Sequence, residues 1–382
     1  MHFAFAIVSL FPGGGLQRDC VDIARRVRRL GHEVTIFTSR KSGDDFAEDV
    51  PLRILGVCNQ ANHRRQREFS DEFKRSASRN FDLRVGFDKL SGLDVLYCSD
   101  RSTLARATKN PILRLVPRYW QFISLERECF APNRKTKLLL LSASQLDEYW
   151  KAWTTEPNRL VVLPPTLMPT RRRPDCRTNG TRTEYRARFR LSPNDWVWIA
   201  VGVQPRTKGI DRSIRALCHF AKARLLIVGL AEGDVRSAGI RNLARRLGVS
   251  RRIIWLGHRE DVPEIMAAAD VLVHPARYDT TGTVILEAIA NGLPAITTSA
   301  CGYGKHVISA DAGIVIQEPF QQRTLIAALE SAREPICMAH WSKSGREYGK
   351  QSWLCEGRGS AAELIVACAL EGVKASTEAQ RR

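Results

Sequence analysis

The strongest constraint in this 382-residue chain is a pattern that occurs twice: a short apolar run followed by a segment with helical spacing. The first series reads as a strand over residues 3–10, a helix through Cys20-Val21-Asp22-Ile23-Ala24-Arg25-Arg26-Val27, and a strand at Glu33-Val34-Thr35-Ile36-Phe37-Thr38. Apolar runs of this length are strands covered on both faces, and strands alternating with helices build β-α-β units on a parallel sheet. A second series begins after residue 195, with strands at 196–203, 224–229, 253–257 and 271–275 and a helix from about 211 to 223. The pattern predicts an α/β chain of two similar domains in tandem, which its length accommodates at roughly 150 residues per domain.

Between the two series, residues 163–174 hold Pro164, Pro165, Pro169 and Pro174 beside Arg171, Arg172 and Arg173, and are not expected in a core. The boundary falls there: an N-terminal domain over 1–165, a C-terminal domain over 166–345, and a helical segment over 346–382 that packs back on the N-terminal domain. The tail from 375 onward is expected to fray. The apolar start, MHFAFAIVSL, lacks a basic n-region and runs into Phe11-Pro12-Gly13-Gly14-Gly15, so it reads as a buried first strand rather than a signal sequence. No stretch approaches the 18 or so apolar residues of a spanning helix, so any membrane association is peripheral. Ten cysteines without a C-x-x-C pair read as reduced thiols of a cytosolic protein.

The glycine loop joins the first strand to the first helix. Glycines there let backbone N–H groups approach a ligand, and the helix dipole favours negative charge, so the expected guest is a phosphate. A nicotinamide dinucleotide is disfavoured: Arg18 stands where the third glycine of G-x-G-x-x-G would be, and Ser39-Arg40 end the second strand where an acid is needed. The alternative is a tight turn with no ligand.

The sharpest segment runs from His274 to Pro294. A strand ends at His274, a turn of small residues follows, and a helix begins near Gly282, with free amides suited to a diphosphate. Asp279 lies in the turn and Glu287 in the helix; carboxylates accept paired hydrogen bonds from vicinal diols, such as those of a sugar and a ribose. The alternative roles are an N-terminal cap for Asp279 and a solvated helix face for Glu287.

These residues spell D-x7-E from Asp279 to Glu287, followed by A-x-x-x-G-x-P from Ala288 to Pro294. The chain thereby resembles glycosyltransferase family 4, retaining enzymes of the GT-B fold with two Rossmann-like domains facing across a cleft. Further pieces narrow the likeness to the lipopolysaccharide core heptose α-1,3-glucosyltransferases: F-P-x-G-G-L-Q-R-D at 11–19, R-x-G-H-x-V at 29–34, V-G-F-x-K at 85–89, G-L-D-V at 92–95, K-G-x-D-R-S-I at 208–214, M-A-A-A-D at 266–270 and C-G-Y at 301–303. They occur in order along about 320 residues.

The resemblance implies transfer of glucose from UDP-glucose, as donor substrate, to an inner-core heptose. In it Gly14 and Gly15 face the donor diphosphate, Lys208 neutralises it with Arg206 nearby, and Gly282, Thr283 and Val284 give backbone contacts. Glu287 holds the ribose and Asp279 the glucose hydroxyls. Asp100 lies beside the transferring sugar and the acceptor, and Asp19 and Arg171 fall on the acceptor side. The family usually needs no divalent cation, and this chain has no Asp-x-Asp motif and no His/Cys/Asp grouping with metal-ligand spacing, so no metal or other cofactor is expected. Three departures bear on donor choice: Asp279 replaces a glutamate, Thr207-Lys208-Gly209 replaces Arg-Lys-Gly, and Leu163-Pro164-Pro165-Thr166 replaces Leu-Pro-Pro-Gly.

The charge is the remaining signal. With 59 Lys+Arg against 40 Asp+Glu, the net +19 favours an anionic partner. Between Arg101 and Lys137, nine cations including Arg114 and Arg118 are interleaved with Leu113, Leu115, Tyr119, Trp120, Phe122 and Ile123, as in an interfacial anchor on anionic lipid; the alternative is a solvated helix, since Glu126 and Glu128 interrupt the run. No helix-turn-helix, zinc-knuckle or RNP-like pattern supports nucleic acid. The expected setting is the cytoplasmic face of a bacterial inner membrane. The competing functions are a family 4 transferase with another donor or lipid-linked acceptor, and a catalytically silent nucleotide- or lipid-binding homologue. His274 reads as a buried structural residue or a ligand contact, His306 as a residue near the donor, and His32 as a turn residue.

Overall fold

The computed structural model describes residues 1–43, 46–59, 61–78 and 80–380, the last eight of these by backbone only. Two units divide the chain: Met1–Pro165 together with Glu356–Arg382, and Thr166–Cys355.

The first unit runs β1 (His2–Ala6), α1 (Gly15–Arg29), β2 (Glu33–Thr38), β3 (Leu52–Ile54), α2 (Asn62–Ser76), β4 (Leu83–Gly86), β5 (Val95–Cys98), α3 (Thr103–Lys109), α4 (Pro117–Phe130), β6 (Lys137–Leu140), α5 (Ala143–Trp153) and β7 (Leu160–Val162). Its seven strands are parallel, in the order β3-β2-β1-β4-β5-β6-β7. The order reverses between β1 and β4, and such a switch point opens a crevice at the carboxyl ends of the strands. The chain leaving β1 there carries the glycine loop, the chain leaving β4 carries Asp88, and the chain leaving β5 carries Asp100.

The second unit runs α6 (Thr181–Arg188), β8 (Trp196–Val201), α7 (Ile210–Leu217), β9 (Ala223–Val228), α8 (Ala238–Arg246), β10 (Ile253–Gly257), α9 (Val262–Ala268), β11 (Val271–His274), α10 (Thr283–Ala290), β12 (Ala295–Thr298), α11 (Gly304–Ser309), β13 (Gly313–Ile316), α12 (Gln322–Ser331) and α13 (Pro335–Tyr348). Its six parallel strands follow the order β10-β9-β8-β11-β12-β13. The switch point lies between β8 and β11, whose following loops carry Lys208 and Asp279. The last helix, α14 (Gly357–Gln380), returns to the first unit. Ala361, Ala362 and Ile365 on α14 bury in the same core as Val21, Ile23 and Ala24 of α1, and small side chains on α14 let the two helices approach closely.

Several expected bounds shift for identifiable reasons. The strand expected over 3–10 stops at Ala6 because the Val8 N–H is taken by the Asp88 carboxylate at 2.7 Å instead of a neighbouring strand. The helix expected to reach 223 ends at Leu217, where Arg252 donates to the Leu217 and Phe220 carbonyls. The linker is not free of the cores: Leu163 is buried in the first unit and Leu167 in the second. Residues 346–355 stay with the second unit rather than joining the C-terminal segment, because Leu354 is buried there and its carbonyl accepts the Leu167 N–H at 2.7 Å. The tail expected to fray from 375 is helical through Gln380, and 381–382 lie outside the described residues.

Gly209 is the glycine on which the second switch point depends. It caps α7 at φ +72°, and a Cβ there would lie 2.0 Å from the Pro275 carbonyl oxygen. The close approach of the 204–209 turn to the chain leaving β11 therefore needs a residue with no side chain. Gly209→Ala is expected to cost about 2–4 kcal/mol from a left-handed alanine and the displaced carbonyl, seen as a fall of several degrees in Tm. An unchanged Tm would show that the turn has room to relax.

Candidate functional site

In the second unit, two cations converge on one carboxylate oxygen. Lys208 Nζ lies 2.6 Å from Asp279 Oδ2 and His274 Nε2 lies 2.9 Å from the same atom. His274 is the last residue of β11, 1% exposed, and Asp279 is 8% exposed. The turn holding Asp279 is pinned by backbone bonds: its N–H donates to the Ala300 carbonyl at 3.2 Å and its carbonyl accepts the Gly302 N–H at 3.0 Å. Burial is the largest single influence and opposes charge on both partners, and it is outweighed by their mutual hydrogen bond together with the neighbouring polar and charged groups. His274 is raised to about 9, helped by the Cys301 thiol, and Asp279, with Lys208 beside it, is held down at about 2. At neutral pH the site is a carboxylate between an imidazolium and an ammonium. Both bonds end on Oδ2, and Oδ1 is the oxygen left for a hydroxyl.

Asp279 does not cap the next helix. The N-cap of α10 is Gly282, at φ +77° and with no side-chain cap, so the first-turn N–H groups from Thr283 and Val284 have no intrahelical acceptor. The left-handed φ at Gly282 favours glycine, so this entry to the helix carries no side chain. Glu287 is half-buried on α10, beside the buried Leu286 and Ala288 rather than on a solvated face. Below this group, Arg277 grips the Lys208 loop, donating to Asp211 as a bidentate pair at 2.7 and 2.8 Å and to the Arg206 carbonyl at 2.7 Å. The Arg206 side chain is exposed. Arg171 donates to the Glu260 carbonyl at 3.0 Å, outside the Asp279 group.

His306 turns away from Asp279. Its Nδ1 meets Tyr348 Oη at 2.8 Å, its ring packs on Tyr303 and Trp353, and burial together with Lys305 lowers it to about 4. His32 lies in the turn after α1, with its ring edge on Phe3. All ten cysteines are free.

In the first unit, the glycine loop enters α1 with Gly14 as N-cap and no side-chain cap, while a Cβ on Gly15 would meet nothing within 4 Å. The Gln17 side chain folds back over Gly14 to donate to the Ser9 carbonyl at 3.2 Å, and Gly15 is left exposed at the start of the helix, where an anion is favoured. Asp100 is exposed at the end of β5, and its carbonyl is held by Gln145 Nε2 at 2.7 Å and Tyr149 Oη at 3.1 Å. Asp88 was not singled out in the sequence, although it is the variable position of V-G-F-x-K. Burial raises it to about 6 against the Val8 N–H, and the Asp100 carboxylate adds to the rise, so two acids share this edge of the sheet. Asp19, expected on the acceptor side, is engaged within the unit: Arg358 Nε on α14 donates to Oδ1 at 2.7 Å and Tyr97 Oη to Oδ2 at 3.0 Å. An ion pair and a phenol occupy both its oxygens, and it anchors α14.

The basic segment is divided by burial. Ile112, Leu115 and Trp120 are 71%, 82% and 61% exposed, and Lys109, Arg114, Arg118 and Arg127 are exposed with them. Tyr119 is buried, with Arg106 and Arg118 over its ring, and so is not part of that surface. Among the described residues no group of three His, Cys, Asp or Glu side chains is placed to hold a metal ion, and no helix is long and apolar enough to cross a membrane.

The paired charges fix the pH dependence of stability. His274, raised from 6.5 to about 9, contributes fully below about pH 6.5 and loses its contribution as pH rises through 9; Asp279, lowered from 3.8 to about 2, contributes fully above about pH 4 and loses it as pH falls toward 2. The wild-type Tm is expected to decline between pH 7 and 9.5, and His274→Gln to flatten that decline. A variant with the wild-type slope would remove this pair as its cause.

The family model for glycosyl transferases group 1 matches residues 181–347. Over 371 residues the chain is 34% identical to the lipopolysaccharide glucosyltransferase WaaG of Escherichia coli (strain K12), covering 96% of this chain and 98% of that one. The crystal structure of WaaG, a glycosyltransferase involved in lipopolysaccharide biosynthesis, matches with a TM-score of 0.87 at 33% identity, covering 95% of this chain and 99% of that one. The fold alone is shared with Anabaena HepE in complex with UDP and glucose, at 16% identity and a TM-score of 0.70, covering 95% of this chain and 99% of that one. Two Rossmann-like parallel-sheet domains of the GT-B fold, and a near full-length relative above 30% identity, establish that this chain belongs to the glycosyl transferases group 1 family and is a glycosyltransferase.

Proposed function

We propose that this glycosyltransferase moves glucose from UDP-glucose to the inner-core heptose of lipopolysaccharide, with retention and without a divalent cation, while seated peripherally on the cytoplasmic face of the inner membrane. The observation that carries this reading is the Lys208–Asp279–His274 group beside the uncapped start of α10. Near full-length similarity to a lipopolysaccharide glucosyltransferase supports the choice of acceptor.

In this reading each group has a task set by its charge. The first-turn amides of α10 and Lys208 Nζ meet the diphosphate; Glu287 accepts from the ribose; Asp279 Oδ1 accepts from glucose hydroxyls. When Lys208 turns toward phosphate, His274 still neutralises Asp279, so the carboxylate stays ionised and in place. As the bond from the anomeric carbon to the UDP oxygen breaks, negative charge grows on the diphosphate, and an ammonium already in position lowers the barrier by about 3–4 kcal/mol. That is the task a divalent cation performs elsewhere. Asp100 is exposed at the switch point of the first unit, and in this reading it serves the acceptor. The exposed Ile112, Leu115 and Trp120 among exposed cations suit an anionic lipid surface, which would also bring the enzyme to a phosphorylated glycolipid.

The test is a screen of nucleotide sugars with heptose-terminated core as acceptor, in the presence of EDTA. Turnover is expected with UDP-glucose and unaffected by EDTA. Lys208→Ala is expected to lower kcat about 10²-fold or more, and Glu287→Ala to weaken UDP binding about 10- to 100-fold by thermal shift. Turnover with a different UDP-hexose alone would replace the donor, and no turnover with any would overturn the reading.

A further inference from the structure

Glu126 lies on the inward face of α4 and is 0% exposed. In the sequence it interrupts a basic run; in the fold it is no part of that surface. It accepts from Lys89 Nζ at 2.8 Å, Ser102 Oγ at 2.6 Å, the Thr103 N–H at 2.7 Å, the Leu104 N–H at 3.3 Å and Trp153 Nε1 at 2.7 Å. Burying a carboxylate is costly, and the Lys89 charge with this set of donors keeps Glu126 ionised despite the burial.

Ser102, Thr103 and Leu104 directly follow the residue pair Asp100-Arg101 and open α3. Lys89 Nζ also donates to the Arg101 carbonyl at 2.9 Å, and Glu148 accepts the Ser102 N–H at 2.8 Å. With Gln145 and Tyr149 on the Asp100 carbonyl, the backbone around Asp100 is fixed by side chains from the β4 end, from α5 and, through Glu126, from α4. The same helix exposes Trp120 and Arg127 on its other side and Arg118 in its first turn. One helix therefore holds the Asp100 loop with one face and presents a cationic, apolar surface with the other.

We infer that Glu126 is a positioning residue that ties α4 to the loop bearing Asp100, so that seating the exposed face of α4 on anionic lipid fixes Asp100 for the acceptor. This rests on the membrane and acceptor roles proposed above. The link needs no large motion, since a misplacement of about 1 Å at a reacting group can cost on the order of 10² in rate.

Two variants separate positioning from mere stability. Ser102→Ala removes a Glu126 bond that reaches the loop, together with the N-cap bond that Ser102 Oγ accepts from the Ala105 N–H, whereas Trp153→Phe removes a Glu126 bond of similar length that does not reach the loop. The measurements are hydrogen exchange at the 102–104 amides and kcat, each with and without vesicles of phosphatidylglycerol and phosphatidylethanolamine. Vesicles are expected to slow exchange and raise kcat, each by about threefold, in the wild type and in Trp153→Phe, and to do so clearly less in Ser102→Ala, where only the Thr103 and Leu104 amides still reach Glu126, with little change in acceptor KM. Equal responses in the two variants, or wild-type exchange that bound vesicles leave unchanged, would overturn the tie. Wild-type exchange that responds to vesicles without any glucose transfer would support the tie while overturning the proposed reaction. Failure to bind these vesicles would overturn the tie together with the membrane role. The wild-type exchange measurement stands even if a variant fails to fold.

Discussion

The second unit is organised around Asp279 Oδ2, on which His274 and Lys208 converge. A carboxylate this buried needs compensating charge, and each cation arrives from a different strand: His274 ends β11 and Lys208 follows β8, the two strands that flank the switch point. Bringing them together requires the turn at Gly209 to lie against the Pro275 carbonyl, and the chain then enters α10 through Gly282 at φ +77°. The glycines, the strand order and the ion pairs are thus parts of one arrangement. It sets a carboxylate and an ammonium beside a helix start, the groups on which the proposed binding and cleavage of a sugar diphosphate ester draw.

The excess of positive charge has a more mixed use than an anionic partner alone. Arg177, Arg182 and Arg186 donate to the carbonyls at the end of α9, from Met266 to Ala269; Arg252 does the same after α7; and Arg159 holds the Cys129, Ala131 and Thr136 carbonyls after α4. These guanidinium groups sit at negative helix ends, where they satisfy carbonyls that the helices leave unpaired. The exposed cations around Ile112, Leu115 and Trp120 are set apart by the exposed apolar side chains among them. A composition count cannot separate arginines that close helices from those that face a partner.

The doubling of the α/β pattern was legible because short apolar strands must be covered on both faces. Glu33–Thr38 and Ile253–Gly257 form strands with the expected bounds. The D-x7-E segment was legible as a site because strand, glycine turn and helix lie close in sequence. Contacts between residues distant in sequence were not. Asp19 looks free until Arg358, 339 residues on, reaches it; Glu126 looks like a surface acid until Lys89 and Trp153 close over it; Lys208 and Asp279 are 71 apart. Asp88 carried a faint signal as the polar position of V-G-F-x-K, but its meeting with the Val8 amide depends on the pairing of β1 with β4.

The central claim is that Asp279 reads the transferred sugar while the nucleotide is held by other groups. It is tested most directly by Asp279→Asn, which keeps size and removes the charge, with glucose transfer from UDP-glucose and UDP affinity measured on the same preparation. The account predicts a fall in kcat of about 10²-fold with UDP affinity changed by less than about threefold. Wild-type turnover in Asp279→Asn, or an equal loss of UDP binding, would contradict it.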